Sequence, residues 1–256
     1  MADSSVAAVV VTHGPDPDLE DGLDALAAQV DELVVVANIP GHPERVGHDA
    51  TLIENDRPRG FSANVNQGVA ATKASWIVVA NPDTIASPGV VRRLVEFGEA
   101  DDNRGVIAPQ LVYPDGRWQP SRRRFPTVWG TLVRRTPLRL VLDPEEFSRA
   151  HYQLDERPTD PVESDWMLGA FLALRRSMFD ELGGFDEGYR LYGEDIDFCY
   201  RAARTGWERW YVPSAVVQHR LGELTAKRFL TRRTVWHVRG MLHFAREHPE
   251  RLRAIW

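Results

Sequence analysis

Three carboxylates crowd into the segment Leu191-Tyr192-Gly193-Glu194-Asp195-Ile196-Asp197-Phe198. A helix N-terminus favours negative charge by about 0.3–1 kcal/mol, which accounts for one or two acids in a first turn and less readily for a third. If Asp195 faces a cleft, it would accept the proton of an attacking hydroxyl as a general base, with Glu194 and Asp197 orienting the molecule that carries it. Helix capping is the competing account of the same residues.

A second cluster lies far away in sequence. Asn81-Pro82-Asp83-Thr84 follows the apolar run Trp76 to Ala80, so the Asp83 carboxylate emerges at the end of a buried strand. A hard divalent cation takes oxygen ligands from one or two carboxylates and completes its shell with substrate phosphates. A Pro-Asp turn that only starts a loop is the plainer use of that tetrapeptide. His219 ends another strand-like run and is either a further metal ligand or a structural histidine. Gly60-Phe61-Ser62-Ala63-Asn64-Val65-Asn66-Gln67-Gly68 combines small residues with side-chain amides, a turn that lets backbone approach a ligand or one that simply starts a helix. It has neither the Lys and Ser/Thr of a P-loop nor G-x-G-x-x-G spacing.

Positioning these residues requires a sheet. Val6 to Thr12, Leu33 to Ala37, Thr51 to Glu54 and Trp76 to Ala80 read as buried parallel strands, separated by helices over Leu19 to Val30 and Asn64 to Lys73. Ser87 is expected to cap the next helix with Pro88 at its first position. The alternation predicts an α/β doubly wound sheet, in which ligands bind beyond the carboxyl ends of the strands, here after Thr12, Ala37, Glu54 and Ala80. Val106 to Tyr113 and Arg117 to Gln119 form a hairpin around Pro114-Asp115-Gly116. Asp165 to Leu174 reads as one strand, Ser177 as the cap of a short helix ended by Gly183-Gly184, and Glu194 to Thr205 as a helix closed by Gly206.

The 256 residues, 43% hydrophobic and 27% charged, suit one folded domain with a helical tail. The single cysteine, Cys199, excludes an internal disulfide, and no Cys/His spacing suggests structural zinc. No run approaches the roughly 20 apolar residues of a membrane helix and the N-terminus lacks a leader pattern, so a cytoplasmic protein is expected. A net charge of −6 argues against general nucleic-acid binding. The end is nevertheless basic, with Lys227, Arg228, Arg232, Arg233, Arg239, Arg246, Arg251 and Arg253 among Leu224, Phe229, Leu230, Val235, Trp236, Met241, Leu242 and Phe244. Contact with an anionic membrane surface and ordinary core packing both account for that pattern.

Taken in order, these segments resemble the family 2 glycosyltransferases, especially their rhamnosyltransferase-like branch, from Val6 to about His219. The likeness runs through Val9-Val10-Val11-Thr12, the Gly60–Gly68 turn and Asn81-Pro82-Asp83-Thr84. Its most specific part is Gly169-Ala170-Phe171-Leu172-Ala173-Leu174-Arg175-Arg176, then Gly183-Gly184-Phe185-Asp186-Glu187, then Tyr192-Gly193-Glu194-Asp195-Ile196-Asp197. The resemblance implies a GT-A fold, a Rossmann-like mostly parallel sheet flanked by helices, over residues 1–222, with 1–112 binding donor, 113–222 binding acceptor, and a basic helical extension over 223–256. It implies Mg²⁺ or Mn²⁺ at Asp83 with His219 as a further ligand, Asp195 with Glu194 as catalytic carboxylates, and inversion at the anomeric carbon. A nucleotide-sugar donor would meet Thr12, His13, Asn55, Gly60, Phe61, Asn64, Asn66, Asn81 and Asp83, and a glycan or lipid-linked acceptor would meet Trp166, Gly169 and Asp197. Assembly as a homo-oligomer stays open.

Two departures stand out. The family usually has an aspartate just after the second strand to hold the nucleotide base, where this chain has Val36-Ala37-Asn38, with Glu54, Asn55 or Asp56 as substitutes. It commonly has an aromatic residue and asparagine where this chain has Thr12-His13-Gly14. The leading expectation is transfer of L-rhamnose from dTDP-rhamnose to a polyprenyl-linked or cell-envelope glycan. Galactofuranose from UDP and a catalytically silent nucleotide-sugar or glycan-binding subunit are the alternatives. In the acceptor region Trp118 would stack on a sugar, and Arg122, Arg123 and Arg124 would meet a phosphate or lie on the surface.

Overall fold

The computed structural model describes residues 4–43, 46–126, 149, 151–154, 157–220 and 232–253. The expected boundary near residue 222 and the tail residues Leu224, Lys227, Arg228, Phe229 and Leu230 lie outside the described residues. The first half is the alternating unit anticipated: β1 (Val6–Thr12), α1 (Leu19–Ala27), β2 (Glu32–Ala37), β3 (Thr51–Glu54), α2 (Phe61–Ala70), β4 (Trp76–Ala80), β5 (Thr84–Ala86), α3 (Val90–Glu99) and β6 (Arg104–Val112). Then follow β7 (Trp118–Gln119), β8 (Arg122–Arg123), β9 (Val162–Glu163), β10 (Trp166–Met167), β11 (Phe171–Arg175), α4 (Arg176–Glu181), α5 (Glu194–Arg204), β12 (Glu208–His219) and α6 (Arg232–Glu247). A 3₁₀ turn, Pro249–Arg253, ends the described chain.

The central sheet runs β3-β2-β1-β4-β11-β6-β12-β5, with β1 to β4 parallel and β11 inserted antiparallel between β4 and β6. Side-chain parity explains its two dry faces. Val9, Val11, Val34, Val36, Ile77 and Val79 point to the side covered by α2 and α5, while Ala8, Val10, Val35, Trp76 and Val78 point to the side covered by α1 and α3.

Several boundaries differ from the sequence reading, four of them near the polar clusters. Helix α2 starts at Phe61, three residues early, because extended Gly60 serves as its N-cap and the Phe61 amide donates to the Arg190 carbonyl. Helix α3 starts at Val90, so Ser87 and Pro88 form the turn before it, with the Ser87 carbonyl accepting from the Val90 amide. Ser177 lies inside α4, whose N-cap is Arg175. The expected strand Asp165 to Leu174 breaks at Leu168–Ala170 into β10, which pairs with β8, and β11, which enters the main sheet. That break matters most, because Gly169 and Ala170 face the two clusters of polar chemistry.

Candidate active site

Side-chain amides join the carboxyl ends of β1, β2 and β3. The Asn38 amide group donates to His13 Nδ1 (3.0 Å) and to the Arg59 carbonyl (3.1 Å), and its Oδ1 accepts from the Arg59 amide (2.7 Å). Asn55 Nδ2 donates to Asn38 Oδ1 (3.3 Å) and to Asn64 Oδ1 (2.6 Å), which ties the strand ends to the first turn of α2. Thr12 is buried at the end of β1, with its hydroxyl on the His42 carbonyl. Ser62 Oγ and Asn64 Nδ2 are buried without a partner, so this cradle has polar groups in hand for a ligand. Sequence reasoning did not single out Asn38; its signal was an asparagine directly behind the second buried strand, where an amide side chain can join two loops.

The register of β12 against β5 places His219 opposite Thr84 and so beside Asp83. His219 Nδ1 donates to Gln119 Oε1 at 3.0 Å. In the neutral tautomer that makes this bond, Nε2 presents a lone pair toward Asp83 Oδ1, 3.4 Å away. Two acceptors facing each other, one held in place by an outer hydrogen bond, suit a divalent cation. Among the described residues no three His, Cys, Asp or Glu side chains converge on one point, so a cation here would need ligands beyond Asp83 and His219. Phosphate oxygens are the usual source.

On the acidic side, Asp195 Oδ2 accepts from the Gly169 amide (3.3 Å) and Oδ1 from the Ile196 amide (2.9 Å). Burial pushes the Asp195 carboxyl up; the two amides and the Arg123 guanidinium pull against it. Glu194 is pushed up to about 8, first by burial and then by the Asp195 charge, and its Oε2 is without a hydrogen-bond partner. Of the pair, Glu194 is the acid that holds its proton more tightly, because the Asp195 charge adds to its burial whereas two amides steady the Asp195 carboxylate. The residue after Gly169 closes the geometry: the Ala170 carbonyl accepts from the Asn81 amide at 2.8 Å. Consecutive peptide units thus hold Asp195 on one side and the Asn81–Asp83 turn on the other.

A family model described as "Glycosyltransferase like family 2" matches residues 4–240. The chain is a family 2 glycosyltransferase. Among relatives of this glycosyltransferase, the N-acetylglucosaminyl-diphospho-decaprenol L-rhamnosyltransferase of Mycobacterium tuberculosis is 30% identical over 243 residues, covering 86% of this chain and 77% of that protein. Rhamnosyltransferase WbbL of Escherichia coli is 34% identical over 195 residues, covering 72% and 69%. The fold matches GalNAc-T7 solved with UDP, GalNAc and Mn²⁺ (TM-score 0.67, 19% identity) over 97% of this chain and 51% of that one. It also matches the mannosyltransferase PcManGT of Pyrobaculum calidifontis with GDP-Man and Mn²⁺ (TM-score 0.62, 19% identity) over 98% and 64%. The chain thus spans about half and under two thirds of these two structures, and the sheet is that of a GT-A glycosyltransferase.

Several residues assigned to this glycosyltransferase's site from sequence are occupied elsewhere. Asn66, expected on the donor, brackets the Phe185 backbone, with Oδ1 accepting its amide (2.9 Å) and Nδ2 donating to its carbonyl (2.8 Å). Phe61 is buried in the core, and Gly60 packs so closely on the Arg190 backbone that a side chain would crowd it. Asp197, expected on the acceptor, is 1% exposed. It accepts from Arg201 Nε at 2.7 Å and lies 2.7 Å from His248 Nε2, which leaves it a structural ion pair. Trp166 is likewise buried, its indole N–H donating to the Arg124 carbonyl, and Trp118 Nε1 donates to the Tyr211 hydroxyl. Arg123 stacks over Tyr152, 4.3 Å from the ring centroid.

Proposed function

We propose that this glycosyltransferase moves L-rhamnose from dTDP-rhamnose to a hydroxyl of a sugar linked through diphosphate to a polyprenol, with inversion. The observation that carries the reading is the pair of peptide units at Gly169 and Ala170, which binds the half-buried Asp195 carboxylate on one side and the Asn81–Asp83 turn on the other. Asp195 takes the proton of the acceptor hydroxyl as its oxygen attacks the anomeric carbon. The bond from that carbon to the nucleoside diphosphate breaks on the opposite face. A divalent cation held by Asp83 and His219 would neutralise charge on the leaving diphosphate. Glu194, pushed up by burial and by the Asp195 charge, is the acid that keeps its proton longer, which limits the negative charge an anionic donor meets. The amide cradle of Asn38, Asn55 and Asn64 receives the nucleotide portion, in place of the aspartate that Ala37 lacks. Rhamnose is supported by both rhamnosyltransferase relatives, and the lipid-linked acceptor by the name of the mycobacterial one.

Helix α6 supports contact with the membrane that would carry such an acceptor. No described helix is long and apolar enough to cross a membrane. The outward face of α6, however, exposes Val235 (51%), Val238 (52%) and Leu242 (65%) beside the exposed Arg239 and Arg246. Co-sedimentation with anionic liposomes at low salt, lost at high salt, is the expected behaviour; absence of binding at low salt sinks this part of the reading.

Nucleotide release from dTDP-, UDP- and GDP-sugars, with and without Mn²⁺ and with an N-acetylglucosaminyl-diphospho-polyprenol acceptor, tests the reaction. Metal-dependent release from dTDP-rhamnose, absent in Asp195→Asn, is expected. Turnover of a different donor in preference removes rhamnose, and binding of donors without any release removes the enzymatic reading.

A further inference from the structure

The inner face of α6 follows the segment that carries the acid pair for the length of the helix. Trp236 lies beneath the Arg190 guanidinium, 5.4 Å from the ring centroid. The Tyr192 ring meets His237 edge-on at 5.7 Å. His243 Nε2 is 2.7 Å from Asp186 Oδ2, and its ring packs on Tyr189. Just beyond the helix, His248 reaches Asp197 inside α5. Midway along, Gly240 is buried against the Tyr192 carbonyl so closely that a Cβ built there would overlap the oxygen.

What α6 touches at Gly240 is an unusual piece of backbone. Tyr192 has φ +72° and Gly193 φ +100°, two successive left-handed residues directly before Glu194. A non-glycine residue in that region costs about 1–3 kcal/mol and persists only where its surroundings hold it. Glycine in a helix interior is in turn about 1 kcal/mol less favourable than alanine. Helix α6 therefore gives up helical stability at the one residue that faces the Tyr192 carbonyl. The Tyr192 amide also faces the Glu194 carboxylate, so a shift of the turn reaches both acids.

We propose that α6 is a positioning element for the catalytic pair, and that Gly240 is the residue that lets it lock the Tyr192–Gly193 turn and so fix Asp195 against the Gly169 amide. This rests on the reading of Asp195 as the base. Helix, turn and α5 then form one rigid stack in which the turn's left-handed conformation is maintained from outside.

Gly240→Ala separates this from a merely structural role. By helix propensity alone the alanine would stabilise α6 and leave turnover unchanged. The positioning role predicts a fall in kcat on the order of 10²-fold with the donor KM unchanged, as expected for a base displaced by about 1 Å. It also predicts faster amide exchange at Glu194, Asp195 and Ile196, a readout that needs no substrate, with Glu247→Gln on the exposed side of α6 matching wild type in both. Wild-type kcat and exchange in Gly240→Ala overturn the inference. Faster exchange in the absence of turnover by either protein upholds the clamp and overturns the proposed reaction instead. Should Gly240→Ala not fold, His243→Asn releases α6 from Asp186; a kcat loss of about tenfold is then expected, and an unchanged kcat overturns the inference.

Discussion

The two halves of the site solve the same problem, holding polar groups still under a dry sheet, with different chemistry. The half proposed to take the donor uses neutral amides: Asn38, Asn55 and Asn64 bond to one another and to the loop backbone. The half proposed to take the acceptor buries carboxylates. Asp197 pairs with Arg201 and meets His248, Glu194 is pushed toward its protonated form, and Asp195 is steadied by two amides. A neutral network fixes shape at little electrostatic cost, whereas a charged one raises basicity and needs outside support, here from the C-terminal helix.

The largest effect should come from separating the two acids that look alike in sequence. Asp195→Asn is expected to cut nucleotide release by about 10²- to 10⁴-fold, the usual worth of a general base. Glu194→Gln, which mimics the protonated acid, should keep most of the activity; equal losses in both variants would break the division of roles. Next, denaturant unfolding should show the contrast between the halves in stability. Asp197→Ala leaves Arg201 and His248 facing a hole and should cost about 3–5 kcal/mol, while Asn55→Ala should cost about 1–3 kcal/mol. A smaller effect belongs to Gln119→Leu, which removes the acceptor that orients His219. Metal affinity, read from Mn²⁺ titration of donor binding, should weaken about 10- to 100-fold.

The smallest expected effect concerns pH. The folded-state pKa of Glu194 stands at about 8 against an ordinary 4.5, so between those values the folded state holds a proton that the unfolded chain has released. Stability should therefore decline as pH rises through that window and level off above it. Burial gives Asp195 the same sign. Thermal midpoints of Glu194→Gln across the window should fall less steeply than those of wild type, and parallel slopes would place the shared proton elsewhere.

Much of this was legible because strand parity and turn chemistry act locally. The bounds of β1, β3 and β4 follow from apolar runs that end in polar residues, and the acids of α5 announced themselves by crowding. The meeting of Asp83 with His219 depended on the β5–β12 register, which no local pattern encodes. Asn64 and Asn66 show the limit of reading by residue type. Two positions apart on one helix they point roughly 200° from each other, so one joins the amide cradle and the other clamps Phe185. Asp195 and Asp197 repeat that geometry on α5, with one carboxylate bound to the Gly169 amide and the other paired inside. The mixture of basic and apolar residues in α6 was readable, but not which face packs inward: Val235 and Leu242 are exposed, and Gly240 acquires meaning only opposite the Tyr192 carbonyl.

The adjacent peptides at Gly169 and Ala170 carry a consequence for how such an enzyme can be altered. Because one short stretch of chain suspends both Asp195, the proposed base, and the Asn81–Asp83 turn, a displacement of that stretch would move the two together and preserve the span between them. Reach toward a new acceptor or a new nucleotide must then come from the peripheral walls, the β8–β10 ribbon on one side and the asparagine cradle on the other, while the yoke between them stays constant.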